Sequence, residues 1–102
     1  MLKTMILASL VISSVAQANT LACQPIALHQ AIEAANLNLG KALYKEGYID
    51  DSKTTGKMEV FRVVLNDGTD YPDASDAFVI TLDPARRCAF VKGYNAYTGE
   101  SL

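Results

Sequence analysis

The sequence predicts an α+β domain: one N-terminal amphipathic helix packed on a three-stranded antiparallel β-meander. Three observations carry this. Apolar residues recur at helical spacing after Pro25, strand-type alternation replaces that spacing from residue 57 onward, and turn residues separate the later apolar runs.

Ahead of the domain, residues 1–18 have the composition of an export signal. Lys3 provides a short positive start, and an apolar run follows through Met5, Ile6, Leu7, Leu10, Val11, Ile12 and Val15. Ala16 and Ala18 supply the small residues that a signal peptidase reads, so cleavage is expected after Ala18. The apolar stretch is too short to anchor stably across a hydrocarbon core of about 30 Å. The expected mature chain, residues 19–102, is a single small domain in a periplasmic or secreted, oxidising setting. It carries eight Lys/Arg against eleven Asp/Glu, a formal charge of −3. That balance disfavours nucleic acid and anionic membrane surfaces as partners. No later run is long enough to span a membrane.

Two cysteines, Cys23 and Cys88, belong to the mature part. An isolated pair in an exported chain points to a disulfide. The alternative is lipidation at Cys23, since Thr20, Leu21 and Ala22 before it resemble a lipobox. That pattern prefers Leu where Thr20 stands, and lipidation leaves Cys88 without a partner.

Pro25 suits a first helical position, where its missing N–H is no loss. Ala31, Ala42, Ala35, Leu28, Leu39, Ile32 and Leu43 fall on one stripe at 100° per residue. The pattern predicts a helix over residues 25–46, with Lys41 and Lys45 in its last turns and Gly47 as its left-handed stop. Residues 48–56 are polar and turn-rich and read as a loop. Residues 57–66 read as the first strand, with Phe61, Val63 and Leu65 on one face. A long acidic loop follows Asn66. The second strand covers residues 77–82, with Phe78, Ile80 and Leu82 on one face. A tight turn through Asp83 and Pro84 leads to a third strand over residues 87–94, in which Cys88 and Phe90 share a face. Residues 95–102 are expected to be loose.

This order of elements resembles cystatin-like folds and PepSY-type exported modules. The likeness is one of topology and implies a helix laid across an antiparallel sheet. Cystatin-type inhibitors carry a Gln-x-Val-x-Gly hairpin, which this chain lacks; the corresponding tip, residues 66–76, is acidic. The inhibitor function therefore does not carry over, and shape alone assigns no activity.

Catalytic chemistry is sparse. Ser52, Ser75 and Ser101 lie in no Gly-x-Ser-x-Gly turn, and Cys-x-x-Cys and glycine-rich phosphate motifs are missing. Asp50 and Asp51 are a carboxylate pair in a chain without tryptophan, a poor start for a sugar cleft. His29 with Glu33 one turn later forms a surface pair at contact spacing, an incomplete site for acid–base or metal chemistry. No catalytic residue, cofactor or enzyme activity is expected. Asp67, Asp70, Asp73 and Asp76 recur every third residue and are the candidates for weak Ca²⁺ binding, for docking a basic partner, or for plain solvation of the loop.

The helix shows a second apolar feature. Ile26, Leu37 and Tyr44 lie about 160–180° from the core stripe and form a candidate contact ridge for a partner or second subunit. Tyr94 and Tyr97 with Gly93 and Gly99 make an aromatic C-terminal segment, and Arg86 and Arg87 flank the last turn. An end strand of the sheet can also accept another chain. The leading expectation is a small exported, non-catalytic protein of inhibitor, immunity or accessory type that acts by protein–protein docking. The alternative is an extracytoplasmic Ca²⁺-binding module using residues 67–76.

Overall fold

The computed structural model describes residues 21–102; the expected export segment and cleavage after Ala18 lie outside them. The described residues form one helix, α1 (Gln24–Leu39), and a four-stranded antiparallel sheet. The strands are β1 (Glu46–Thr55), β2 (Met58–Asn66), β3 (Ser75–Asp83) and β4 (Ala89–Asn95), and they lie side by side in chain order. The α+β class stands, with one strand more than expected. None of the described helices is long and apolar enough to cross a membrane.

The helix stops seven residues earlier than expected. Gly40, not Gly47, is the left-handed residue, at φ 76°. Its amide donates to the carbonyl of Leu37 and the Lys41 amide donates to that of Asn36, the paired bonds of a Schellman close. The Asn36 side chain then turns the chain back. Its amide nitrogen donates to the Tyr44 carbonyl and its oxygen accepts from the Tyr44 amide, both at 2.9 Å. Lys41 and Lys45 thus lie beyond the helix rather than in its last turns.

The region expected as a polar loop is the edge strand β1. Only its inward positions are even half-buried, among them Gly47, Ile49 and Ser52. A bulge at Asp50 breaks the alternation, so no apolar pattern marks it. Gly47 faces Leu65 across β1 and β2 so closely that a Cβ on it would lie 2.2 Å from the Val64 oxygen. The position has room only for hydrogen. Gly56, at φ 61°, opens the two-residue turn into β2.

The helix covers one face of the sheet. Its contact stripe is alanine, with Ala27, Ala31 and Ala35 buried and Leu28 and Ile32 packed at their flanks. Small side chains let the helix sit low on the sheet. Leu39, the last residue of the helix, and Ala42, beyond it, were expected in the core and are exposed. From the sheet, Phe61, Val63, Leu65, Phe78, Ile80 and Leu82 meet the helix as expected, with Phe90 partly buried beside them. Each such side chain contributes roughly 1.5–3 kcal/mol on burial.

Two fastenings hold the helix start. Cys23 and Cys88 form a disulfide with Cα atoms 5.5 Å apart. Glu59, inward on β2, accepts from the amides of Ala22 and Cys23 at 3.1 and 2.7 Å. Its carboxylate fixes the entry to the helix, accepting from the N-cap amide of Cys23 as the glutamate of a capping box does, and its charge suits the positive helix end.

The end of the chain corrects two expectations. The tight turn is a single 3-10 turn, Pro84–Arg86, after which Arg87 and Cys88 take left-handed backbone, so β4 begins only at Ala89. The Gln30 side chain donates to the Cys88 carbonyl there. Residues 96–102 are not loose. Ser101 bridges to Tyr94, the Leu102 amide donates to the Gly93 carbonyl, and the Leu102 side chain packs on the core.

Candidate docking surface

With α1 on one face, the opposite face of the sheet carries no covering element among the described residues. Strand register places its side chains in rows. Asp51, Arg62, Val79 and Tyr94 form one row across β1 to β4; Lys53, Val60, Thr81 and Lys92 form the next. Met58 and Val64 continue this face along β2. The two rows line adjoining depressions that share Val60. One, of about 230 Å³, is bordered by Asp51, Lys53, Arg62, Val79 and Tyr94. The other, of about 320 Å³, is bordered by Thr55, Met58, Thr81, Val91 and Lys92. Val91 is the extra residue of a bulge in β4 and stands half-exposed there. Together they make a shallow trough with a valine floor, a tyrosine at one end, and Lys53, Lys92, Arg62 and Asp51 along its sides. Asp50 ion-pairs with Arg62. Lys53 and Lys92 are exposed and make no ion pair with any described residue.

The helix side presents less. Ile26 and Leu37 are exposed, Leu37 at 81 %, but Tyr44 is buried at 5 % and lies outside the helix. The expected ridge of Ile26, Leu37 and Tyr44 therefore does not assemble. Once α1 ends at Gly40, the 100° rotation that placed Tyr44 beside Leu37 no longer applies. What remains is a shallow groove of about 560 Å³ bordered by His29, Ile32, Glu33, Leu37 and Ala42. His29 and Glu33 make the expected pair at 3.3 Å, solvated on both sides of the contact.

Tyr44 instead closes the far end of the core. Its ring meets Phe78 edge-to-face at 5.6 Å, and its hydroxyl donates to Asp76 at 2.9 Å. Burial first, then the hydrogen bond and the negative charge of Asp76, push the phenol up to about 12. A cleft of about 180 Å³ lies beside this pair, between the end of α1 and residues 95–102.

The four aspartates of the β2–β3 loop do not converge. Asp76 is engaged with Tyr44 at the start of β3. Asp67 folds the loop on itself, accepting from the Thr69 hydroxyl, the Thr69 amide and the Asp73 amide. The Thr69 hydroxyl foremost, with the backbone amides, holds the Asp67 carboxyl below its usual range. Among the described residues no three His, Cys, Asp or Glu side chains gather as a metal set. The loop presents Asp70 and Asp73 around Tyr71, which is 91 % exposed. Arg86 reaches Asp83 at 3.5 Å, and Tyr97 stands exposed in the C-terminal turn.

The residues that build the trough were legible singly but not together. Val60, Val64 and Val79 alternate with core residues in the strands, yet that they stay half-buried rather than join the core depends on only one face being covered. No family model, curated protein or solved structure matches this chain.

Proposed function

We propose that this chain is a small exported binding protein without catalytic activity, which docks onto another protein through the uncovered face of its sheet. One observation carries the reading: a trough of valines and Tyr94, bordered by Lys53, Lys92, Arg62 and Asp51, on a sheet whose other face packs the core. An apolar centre, an aromatic anchor and a charged rim are the anatomy of a docking face. The export-type segment and the formed disulfide support an oxidising setting. The His29–Glu33 pair stands on the helix, apart from Ser52 on β1, Ser75 on β3 and Ser101 at the C-terminal end, which supports recognition rather than catalysis.

The experiment is affinity capture from the extracytoplasmic fraction of the producing cells, with wild-type protein, Val60→Glu/Val79→Glu and Leu37→Asp. Circular dichroism first establishes that each variant is folded. The open-face variant is expected to lose the captured partner and Leu37→Asp to keep it. Equal capture by wild type and the open-face variant would end this reading, and loss from Leu37→Asp alone would move the contact to the helix.

A further inference from the structure

We infer that the partner fitting this trough is a second copy of the same chain, contributing its β2–β3 loop; the inference rests on the open-face reading above. The chain carries both halves of one contact. The trough has an apolar floor, with Lys53 and Lys92 in a single cross-strand row on either side of Val60 and Thr81. Neither lysine has an ion-pair partner among the described residues. The loop has the opposite composition: an aromatic ring, Tyr71, at 91 % exposure, between Asp70 and Asp73. A tyrosine so exposed between carboxylates is a poor way to finish a fold and a good interface anchor.

Scale and order agree with this match. Lys53 and Lys92 stand three strand spacings apart, about 14 Å. Asp70 and Asp73 are three residues apart, at most about 10 Å, and lysine stems cover the difference. The loop is ordered before it meets anything, because both oxygens of Asp67 are engaged with loop amides and the Thr69 hydroxyl. A preformed loop loses little freedom on docking. Asp51 and Asp50 stand in or beside the Arg62 row, so the loop carboxylates belong at the Lys53–Lys92 row and the tyrosine over Val60.

The meander also sets the direction of the contact. The β2–β3 loop leaves the sheet at the end where Glu46, Asn66, Ser75 and Asn95 lie, whereas the Lys53–Lys92 row lies toward the opposite end. A two-fold axis that reverses strand direction brings each loop toward its partner's lysine row. The same two contacts then form twice and the assembly closes as a dimer.

The test is sedimentation equilibrium of the purified oxidised protein. Wild type is expected to dimerise with a Kd between about 1 μM and 1 mM. Raising the ionic strength from about 0.01 to 1 M, which shortens the screening length from roughly 30 to 3 Å, is expected to weaken the dimer at least tenfold. Tyr71→Ala, Lys53→Glu/Lys92→Glu and Asp70→Lys/Asp73→Lys should each remain monomeric. An equimolar mixture of the two charge-reversed proteins should associate again, which loss of folding would not permit. A wild-type protein monomeric at millimolar concentration, or a dimer indifferent to Tyr71→Ala and to both reversals, overturns the inference. If wild type is monomeric while Val60→Glu/Val79→Glu still abolishes capture of another protein, only the choice of partner falls. If capture is also unaffected, the open-face reading falls with it.

Discussion

Reduction of the Cys23–Cys88 bridge is the perturbation whose size the structure specifies most directly. The two cysteines are 65 positions apart, so the bridge closes most of the domain into one loop. In the chain-entropy account, opening a loop of that length returns about 14 cal/mol/K to the unfolded chain, or about 4 kcal/mol at 25 °C. A domain of this size commands only about 5 to 10 kcal/mol in total. The structure shows why little compensates. The bridge joins the start of α1 to the start of β4, and the helix meets the sheet through alanines that bury modest area. Glu59 still holds the amides of Ala22 and Cys23 after reduction, but it confines the folded state alone. Urea unfolding with and without reductant measures the effect. With a slope near 1 kcal/mol/M, the midpoint should fall by about 4 M. Cys23→Ala/Cys88→Ala should match the reduced protein or fall slightly below it, because Cys23 is fully buried. A loss under about 1 kcal/mol on reduction would refute the loop-closure reasoning.

Two further outcomes follow from Tyr44 and Gly47. The Tyr44 phenol titrates near 12 in the folded protein against about 10 when unfolded, so the fold favours its neutral form. Its contribution is complete below pH 10 and is lost as the pH rises toward 12. Urea midpoints across that window should fall in wild type, the fall should shrink in Tyr44→Phe, and tyrosinate absorbance should show one of five tyrosines ionising late. At neutral pH, Tyr44→Phe should cost about 1 kcal/mol, the worth of one hydrogen bond to a charged acceptor that water can partly replace. Gly47→Ala should cost about 3 kcal/mol or more, since the added carbon meets a backbone oxygen that cannot withdraw without opening β1 from β2. Hydrogen exchange should then show lost protection through β1, and unchanged protection would contradict the close approach.

How far the sequence is legible varies with how local each determinant is. The central strands were readable because Phe61, Val63, Leu65, Phe78, Ile80 and Leu82 alternate in a period that only a half-buried strand needs. The edge strand was not. Its partner lies on one side, its outward residues meet water, and Asp50 breaks the phase, so β1 has the composition of a loop. The helix end failed for another reason. Ala42 and Leu43 continue the apolar stripe past Gly40, and periodicity carries no record of the Asn36–Tyr44 bonds that reverse the chain. Glu59 shares the inward phase of Phe61, a signal for a buried carboxylate; its task at the helix start becomes visible only when β2 passes beneath α1.

The sequence alone determined the α+β class and the inward faces of the two central strands, and it pointed to the pairing of Cys23 with Cys88 and to export. Each of these depends on spacing or residue type within a short window, or on there being only two thiols. The tertiary structure decided the fourth strand, the burial of Tyr44, the ordering of the C-terminal residues and the exposure of the face bearing Val60, Val79 and Tyr94. Those depend on which surface meets which, and a strand's two faces stay equivalent in sequence until a single helix covers one and leaves the other to solvent.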